Sequence, residues 1–260
     1  MNESIARMFD LTGRVALVTG GGGSYGREIV RALALAGAET YVASRDIDAL
    51  AELKLQYAQE GISIRVLRLD QGDEKSILEA RDAIKREAGR LDILVNNAVA
   101  RPAVTGMNED AARWDESFHV NATGLLVVTR SMAEIMSEGG SIINIGSMMG
   151  LVGVEPTNYA GTDMQGWYPD YHFHKGGMVN VTRFFASYYG SRGIRCNCIN
   201  PGGLEAGQPE LFLKNYAERT CLGRLAQKGD LAGSVIFLAS SASNYITGTN
   251  LPVDGGYTAK

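Results

Sequence analysis

The stretch VALVTGGGGSYG, residues 15–26, joins a short apolar run to a cluster of glycines. Apolar runs of this length that end at glycine are typical of strands buried in a parallel sheet. Helical periodicity follows and stops at Gly37, a common helix end. The order strand, glycine-rich turn and helix brings free backbone N–H groups and the positive end of a helix dipole to one place, where a pyrophosphate can bind. The predicted dinucleotide-binding residues of this turn are Gly20, Gly22, Gly23, Ser24, Tyr25 and Gly26.

The alternative interpretation of this stretch is a tight turn that binds nothing. Five glycines exceed what a turn alone needs, since one or two suffice for positive φ angles. We therefore favour the dinucleotide site.

Strand-like apolar runs alternate with helix-like segments along the whole chain. Further strands are predicted at residues 40–44, 63–69, 91–95, 141–145, 195–200 and 250–253. Helices are predicted at residues 25–36, 47–60, 74–87, 111–137, 171–189 and 230–240. This alternation, without a linker or an internal repeat, favours one α/β domain over residues 1–260, a doubly wound parallel sheet of about seven strands with helices on both faces. Ligands of such sheets bind beyond the carboxyl ends of the strands.

Composition and charge argue against several classes of protein. The 25 Lys and Arg against 29 Asp and Glu give a net charge of −4, which does not favour a nucleic-acid surface. No apolar run approaches the roughly 18 residues of a membrane helix, and residues 1–7 lack the apolar core of a signal peptide. Three cysteines cannot all pair within one chain, and His172 and His174 lack partners at metal-ligand spacing. We expect a cytoplasmic protein with no metal and no nucleic-acid or membrane partner.

The end of the second predicted strand bears on the choice of nucleotide. A carboxylate at this position would favour NAD, but the residues here are Ser44 and Arg45. A hydroxyl followed by a planar guanidinium suits a 2′-phosphate, so the sequence predicts NADP, with NAD as the alternative. Asp46 follows directly and would weaken this preference, and a solvated loop charge is the other interpretation of Arg45.

Two further strand ends carry residues of the same predicted cofactor site. Asp70, followed by Gln71, closes the third predicted strand, and its carboxylate can accept from an adenine amino group. Asn97 and Ala98 close the fourth strand, where an asparagine side chain can hold loop backbones together. Each signal is weak alone, but successive strand ends of a parallel sheet meet at one edge.

Tyr171 and Lys175 are four residues apart near the start of a predicted helix, so they share one face. An ammonium near a phenol favours the phenolate and lowers its pKa from about 10. Such a tyrosine can act as a general acid or base near neutral pH. Ser147 follows the fifth predicted strand and Asn121 lies in the segment VNATG at residues 120–124. These four are the candidate catalytic residues.

Together the motifs resemble the short-chain dehydrogenase/reductase family over nearly the whole chain. Besides Asp70, Asn121, Ser147 and the Tyr171–Lys175 pair, the matching pieces are TGGGGSYG at 19–26, NNA at 96–98, NPG at 200–202 and VDGG at 253–256. The resemblance implies a Rossmann-like sheet and transfer of a hydride between a nicotinamide and a carbonyl/alcohol pair.

The resemblance also implies residue roles. Tyr171 would be the general acid/base, and Lys175 would bind the nicotinamide ribose and tune Tyr171. Ser147 would hydrogen-bond the substrate oxygen, and Asn121 would hold a water in a proton relay. Tyr171, Lys175 and the segment Pro201, Gly202 and Leu204 would belong to the cofactor site.

Three positions depart from the family pattern in the cofactor site. Ser24 and Val99 stand where the family usually has glycine. No threonine follows Gly202 closely, so backbone groups near Leu204 would contact the nicotinamide amide instead.

The fourth departure is an insertion at about residues 153–170. Tyr171 lies 24 positions after Ser147, about twice the usual distance in the family. Tyr159 stands near the usual distance, but its fourth neighbour is Asp163 rather than lysine. Because only a nearby cation tunes the phenol, we assign the catalytic role to Tyr171.

The insertion enters the chain beside the predicted catalytic serine, and its aromatic and polar side chains suit a polyhydroxylated ligand. Packing of the loop or of a subunit contact explains the same aromatics equally well. The predicted substrate residues are Ser147, Met149, Tyr159, Trp167 and Tyr171.

Residues 203–224 form the predicted substrate lid, since lids are commonly drawn from such loops. Lys214 or Arg219 in this lid can meet a substrate carboxylate. Exposed helix charges are the simpler interpretation of both.

The sequence supports three hypotheses of function. The first is an NADP- or NAD-dependent oxidoreductase acting on a small polar substrate, a sugar, sugar acid or polyol. The second is a reductase of 3-oxoacyl thioesters or hydrophobic ketones. The third is a nucleotide-binding sensor without turnover, which the complete catalytic set argues against. The resemblance also implies a homo-oligomer, a tetramer or dimer.

Overall fold

The centre of the computed structural model, which describes residues 3–260, is a parallel sheet of seven strands. The strands are β1 Val15–Thr19, β2 Glu39–Ser44, β3 Arg65–Arg68, β4 Leu91–Asn96, β5 Met136–Ile145, β6 Arg195–Pro201 and β7 Asn250–Val253. Their order in the sheet is β3-β2-β1-β4-β5-β6-β7. Met1 and Asn2 lie outside the described residues. They belong to residues 1–7, in which the sequence shows no apolar core of a signal peptide.

Helices connect the strands. Within residues 3–260 they are α1 Glu3–Met8, α2 Ser24–Leu35, α3 Ile47–Gln59, α4 Glu74–Ala88, α5 Ala111–Phe118, α6 Leu125–Ala133, α7 Pro169–Tyr189, α8 Glu210–Arg219 and α9 Ala232–Ala239. No helix in this part of the chain has both the length and the apolar composition to cross a bilayer.

The two faces of β1 are covered by different helices. Ala16 and Val18 pack with Leu33 of α2 in one buried cluster, and Leu17 packs with Met132 of α6 in the other. Such burial on both faces is why the parallel strands are continuous apolar runs. The predicted single-domain, doubly wound α/β fold with a Rossmann-like sheet is confirmed.

The sheet reverses its order of growth at β1. In the register, Val18 pairs with Val42 of β2 on one side and with Val95 of β4 on the other. The loops after β1 and β4 therefore leave in opposite directions and open a crevice at their carboxyl ends.

The helix predicted over residues 111–137 is interrupted in the middle and is wrong at its end. A π-helical turn at His119–Gly124 separates α5 from α6, and α6 ends at Ala133. β5 then begins at Met136, which pairs with Leu91 of β4. The apolar side chains after Ala133 are buried by the sheet rather than by a continuing helix face, which helical periodicity alone does not reveal.

Other boundaries differ by a few residues. β3 spans Arg65–Arg68 rather than residues 63–69, and α9 begins at Ala232 rather than at residue 230. α7 begins two residues before its predicted start, because Pro169 occupies the first helical turn, where proline loses no hydrogen bond.

Candidate active site

A cavity of about 840 Å³ opens at the carboxyl ends of the central strands. It is lined by nearly all of the residues predicted for the cofactor and the reaction: Gly20, Gly22, Gly23, Ser24, Tyr25, Gly26, Ser44, Arg45, Asp70, Gln71, Asn97, Ala98, Ser147, Met149, Tyr159, Tyr171, Lys175, Pro201, Gly202 and Leu204. Asn121 and Trp167 do not line it. The fold thus brings distant predicted residues to one place.

The glycine-rich turn after β1 is packed too tightly for side chains. A Cβ at Gly26 would lie 2.4 Å from the carbonyl oxygen of Gly20, and Gly20 itself has a φ of +62°. The Asn97 side chain donates to that same Gly20 oxygen at 2.9 Å, which ties the turn to the end of β4. The turn therefore presents bare backbone to the cavity.

The N-terminus of α2 faces this turn without a side-chain cap. Gly23 is the N-cap residue, and no side chain accepts from the first N–H groups of the helix. Free N–H groups and the helix dipole favour an anion at this point. The Tyr25 hydroxyl donates to the carbonyl oxygen of Gly202 at 2.9 Å, so the start of α2 is fixed to the end of β6.

The end of β2 presents a guanidinium whose neighbouring carboxylate is already engaged. The Asp46 carboxylate accepts from the backbone N–H of Ala49 at 2.9 Å and caps α3. The backbone N–H of Asp46 donates to the Ser44 hydroxyl at 3.3 Å. Arg45 is exposed and forms no ion pair with any described residue. The Arg45 guanidinium is therefore available next to the predicted ribose position.

Lys175 and Tyr171 stand one helical turn apart at the start of α7. Lys175 is only 4% exposed, and its Nζ donates to the carbonyl oxygen of Ile145 at 2.6 Å. The same Nζ lies 5.8 Å from the centre of the Tyr171 ring. Burial lowers the pKa of Lys175, and the interaction with Tyr171 opposes that shift. The end of β5 and the first turns of α7 thus hold the ammonium beside the phenol.

The surroundings of Tyr171 favour its phenolate. Burial alone raises the pKa of the phenol, but the charges of Lys175 and Arg101 and hydrogen bonds with Ser147 and Arg101 oppose this. The net effect is a pKa below the ordinary value of 10.0. A phenol tuned in this way can exchange a proton with a substrate oxygen near neutral pH.

Ser147 is held by the loop after β5. Its hydroxyl accepts from the backbone N–H of Met149 at 3.1 Å, and its own N–H donates to Asn200 Oδ1 at 3.3 Å. The residue before it must be glycine, because a Cβ at Gly146 would lie 2.2 Å from Asn200 Oδ1. The serine hydroxyl therefore has a fixed position within hydrogen-bonding reach of Tyr171.

Asn121 is buried in the π-helical turn and its side chain holds a neighbouring loop. Its Oδ1 accepts from the N–H of Ala100 and its Nδ2 donates to the carbonyl of the same residue, both at 2.8 Å. This reciprocal pair fixes the loop after β4. The predicted holding of a relay water by Asn121 stays a prediction.

The chain is similar to known proteins over nearly its whole length. The family described as enoyl-(acyl carrier protein) reductase matches residues 22–258. The chain is 33% identical over 255 residues to the cis-4-hydroxycyclohexanecarboxylate dehydrogenase of Sinomonas cyclohexanicum, covering 95% of this chain and 97% of that one. The chain belongs to the short-chain dehydrogenase/reductase family.

Two other relatives cover the chain equally well. Galactitol 2-dehydrogenase (L-tagatose-forming) of Cereibacter sphaeroides is 32% identical over 261 residues, with 96% and 97% of the chains covered. The solved gluconate 5-dehydrogenase from Burkholderia cenocepacia J2315, in complex with NADP and tartrate, has a TM-score of 0.86 at 30% identity, over 98% of this chain and 99% of that one. This short-chain dehydrogenase/reductase is therefore an NAD(P)-dependent oxidoreductase.

The residues present fit a nicotinamide dinucleotide. The uncapped helix start and the close backbone approaches at Gly20 and Gly26 form a cradle that any Cβ would fill. This is the arrangement that binds a pyrophosphate. The cradle lies in the same cavity as Tyr171 and Lys175.

The structure places Trp167, predicted as a substrate residue, outside the cavity. The residue is 50% exposed, and its backbone carbonyl packs against Gly106, where a Cβ would lie 2.4 Å from the Trp167 oxygen. Gln165 and Tyr168 of the same insertion line the cavity instead.

Arg101 and His172 line the cavity of this oxidoreductase and were missed by sequence reasoning. Arg101 lies in the loop after β4, and a charge so close to a strand end was an available signal. His172 was considered only as a metal ligand. Among the described residues, no group of three His, Cys, Asp or Glu is placed to hold a metal ion.

The predicted insertion, residues 153–170, is packed against the predicted lid, residues 203–224. Arg219 of α8 pairs with Glu155 at 2.8 Å, and the Asn215 side chain donates to the carbonyl of Ala160 at 3.0 Å. The rings of Tyr159 and Phe212 are 5.5 Å apart. Arg219 is thus engaged within the protein, and Lys214 does not line the cavity. The expectation that either meets a substrate carboxylate gains no support.

Proposed function

We propose that this enzyme oxidises a secondary alcohol, or reduces the corresponding carbonyl, of a small polar substrate: a sugar, sugar acid or polyol. The observation that carries the proposal is the Tyr171 phenol, tuned below its ordinary pKa, in a cavity whose lining includes several polar side chains besides the catalytic residues. Tyr159, Gln165, Tyr168 and His172 contribute hydroxyl, amide and imidazole groups to that lining. The relatives named for galactitol and gluconate fit the same class.

In the proposed mechanism the protein positions the substrate and moves a proton. The Tyr171 phenolate takes the hydroxyl proton during oxidation, and the phenol returns it during reduction. Ser147 donates a hydrogen bond to the substrate oxygen, and Lys175 keeps the phenolate accessible. The nicotinamide, when bound, accepts or supplies the hydride.

We test the proposal with an activity screen of the wild-type enzyme. Polyols, sugars and sugar acids are each offered with NADP⁺ and with NAD⁺, and the reduced cofactor is followed by its absorbance. We expect turnover of at least one polar substrate. Turnover confined to an acyl-carrier thioester or to hydrophobic ketones reverses the order of the hypotheses.

The runner-up is a reductase of 3-oxoacyl thioesters or hydrophobic ketones. One observation favours it: Met148, Met149, Met164 and Phe212 also line the cavity. The polar groups of the insertion at the same end argue for a smaller and more polar substrate. A sensor without turnover is the weakest candidate, because the tuned tyrosine has no purpose in it.

For the cofactor we propose NADP over NAD. Arg45 is exposed at the end of β2 without an ion-pair partner among residues 3–260, and the Asp46 carboxylate is engaged as the cap of α3. A free guanidinium therefore stands where a 2′-phosphate would lie. The Ser44 hydroxyl next to it offers a further hydrogen bond.

Arg45→Gln is expected to lower kcat/KM for NADP⁺ by about 10- to 100-fold, the range of a lost hydrogen bond to a charged group. The kcat/KM for NAD⁺ is expected to change less than about threefold, because NAD⁺ has no 2′-phosphate and loses no charged hydrogen bond. The measurement is the ratio of the two kcat/KM values at one ionic strength. Arg183→Gln on the exposed side of α7 is the control for a lost surface charge. An unchanged ratio in Arg45→Gln contradicts the NADP preference.

We also propose that the enzyme is a homo-oligomer, a dimer or tetramer, of the cytoplasm. The outward side of α7 exposes Phe173, Phe184 and Tyr188 by 59–69%, more apolar area than a free surface usually presents. All three cysteines are free thiols, as expected in a reducing compartment. Light scattering is expected to give a multiple of the chain mass, and a monomer mass contradicts the assembly.

A further inference from the structure

Arg101 lies above the catalytic ring. Its guanidinium carbon is 4.3 Å from the centre of the Tyr171 ring, in a cation–π contact. The residue is exposed and lines the cavity. A planar guanidinium with five donors at this place can reach a substrate whose reacting oxygen is held by Tyr171.

The charge of Arg101 has no carboxylate partner among residues 3–260. No described aspartate or glutamate forms an ion pair with it, and the carboxylates that line the cavity, Asp46 and Asp70, belong to the nucleotide end. Of the three acids in the insertion, Glu155 is paired with Arg219, Asp163 does not line the cavity, and Asp170 accepts a hydrogen bond from Ser117. The unpaired guanidinium therefore gives this end of the cavity a cationic group, which favours an anionic ligand.

The backbone beside Arg101 is held by a buried chain of hydrogen bonds. Ser117 Oγ donates to Asp170 Oδ2 at 2.5 Å, and Asn121 Nδ2 donates to Ser117 Oγ at 3.1 Å. Asn121 in turn brackets Ala100, directly before Arg101. Asp170 is the residue directly before Tyr171. One network thus connects the start of α7 with the loop that presents the guanidinium.

A second polar group of this end also lacks a partner. His172 Nε2 is buried and has no hydrogen-bond partner in the described chain, while Nδ1 lies 2.9 Å from the carbonyl oxygen of Tyr168. This contact requires the proton on Nδ1 and leaves Nε2 as an acceptor when the ring is neutral. An acceptor and a guanidinium that line the same cavity fit a substrate that carries both a hydroxyl and a carboxylate.

We propose that Arg101 is the specificity-determining residue of this cavity and binds a carboxylate of the substrate, so that the preferred substrates are small hydroxy- and oxo-carboxylates rather than neutral polyols. The inference rests on the proposed function and narrows its substrate class. A guanidinium pairs with a carboxylate through two parallel hydrogen bonds, and this pairing fixes the orientation of the alcohol toward Tyr171.

The test compares matched substrates that differ in the charged group. D-gluconate is paired with D-glucitol, and cis-4-hydroxycyclohexanecarboxylate with cis-4-methylcyclohexanol. For each pair the ratio of kcat/KM values, carboxylate over neutral, is measured for the wild type and for Arg101→Gln. Any change in the tuning of Tyr171 affects both members of a pair equally, so the ratio isolates the contact with the carboxylate.

We expect the wild type to prefer the carboxylate, and Arg101→Gln to lower the ratio by about 10- to 100-fold, as for a lost charged hydrogen bond. Arg101→Lys keeps the charge without the fork and is expected to give an intermediate ratio. Arg86→Gln removes an exposed arginine of α4 that does not line the cavity, and its ratio is expected to stay at the wild-type value. Cofactor binding by fluorescence verifies that each variant is folded.

The failures are distinguishable. A wild type that oxidises the neutral alcohols as well as the carboxylates, or an Arg101→Gln ratio equal to that of the wild type, overturns the role of Arg101 and leaves the proposed function standing. A wild type that transfers no hydride to or from any substrate of the screen overturns both.

Discussion

Tyr171→Phe is expected to lower kcat by about 10³-fold, within the 10²- to 10⁴-fold range of a lost general acid or base. The variant keeps the ring and its stacking with Arg101 but has no group that can exchange a proton with the substrate oxygen. Cofactor binding, measured by fluorescence, is expected to change little. The measurement is steady-state turnover of whichever substrate the screen identifies.

Two other tyrosines serve as comparisons. Tyr159→Phe removes a hydroxyl from the same cavity. Tyr159 stands near the usual distance along the chain from Ser147 in the family, but burial raises the pKa of its phenol, which does not suit a general acid or base. This variant is expected to lose about tenfold at most, the value of one neutral hydrogen bond. Tyr245 is fully exposed, and Tyr245→Phe is expected to behave as wild type. A larger loss from Tyr159→Phe than from Tyr171→Phe reverses the assignment.

The state of Tyr171 also sets the pH dependence. Oxidation requires the phenolate, so its kcat/KM is expected to rise with pH through the pKa of Tyr171 and then to level off. Reduction requires the phenol and is expected to fall over the same interval. Because the pKa is lowered from 10.0, both changes are expected below pH 10.

Lys175→Met is expected to lower kcat for oxidation by at least about 10²-fold at neutral pH. Losing the ammonium removes the largest effect that opposes the burial of the phenol, so the pKa of Tyr171 rises and less phenolate is present. The carbonyl of Ile145 also loses its donor. The rising limb of the oxidation profile is expected to move to higher pH, and the profile of kcat/KM against pH measures this shift.

The shift in pH dependence distinguishes two roles of Lys175: lowering the pKa of Tyr171 and donating a hydrogen bond to the Ile145 carbonyl. A variant that lost activity only through the unpaired Ile145 carbonyl would keep the wild-type limb at a lower plateau. Lys175→Arg restores a cation near the phenol and is expected to return the limb toward its wild-type position. Should the limb of Lys175→Met coincide with that of the wild type, the tuning role of the lysine is contradicted.

The fold was largely predictable from the sequence. A strand buried on both faces must be a nearly continuous apolar run, and residues 15–19 and 91–95 show this. The segment after Ala133 was not predictable in the same way, since its apolar residues are buried by pairing between Met136 and Leu91. That contact joins positions distant in sequence and leaves no mark on local periodicity.

Within the site, residues at strand ends were located because topology alone brings them together. Arg101 and His172 were missed since their importance depends on what lies near them in space. The guanidinium carbon of Arg101 lies 4.3 Å from the centre of the Tyr171 ring, and Nε2 of His172 is buried without a hydrogen-bond partner among the described residues. Trp167 is the opposite case: it was predicted as a substrate residue but does not line the cavity. The composition of a loop does not show which of its side chains turn inward.

The contacts between the insertion and α8 have a consequence for engineering. Glu155 with Arg219, and Ala160 with Asn215, join two segments that are some 55 to 65 residues apart in sequence. Exchanging the insertion alone with that of a relative would leave these groups of α8 without partners and would disturb the wall that α8 forms. A change of substrate preference in this scaffold therefore requires the exchange of both segments together. Chimaeras in which only one segment is exchanged are expected to have a disordered cavity wall rather than a new specificity.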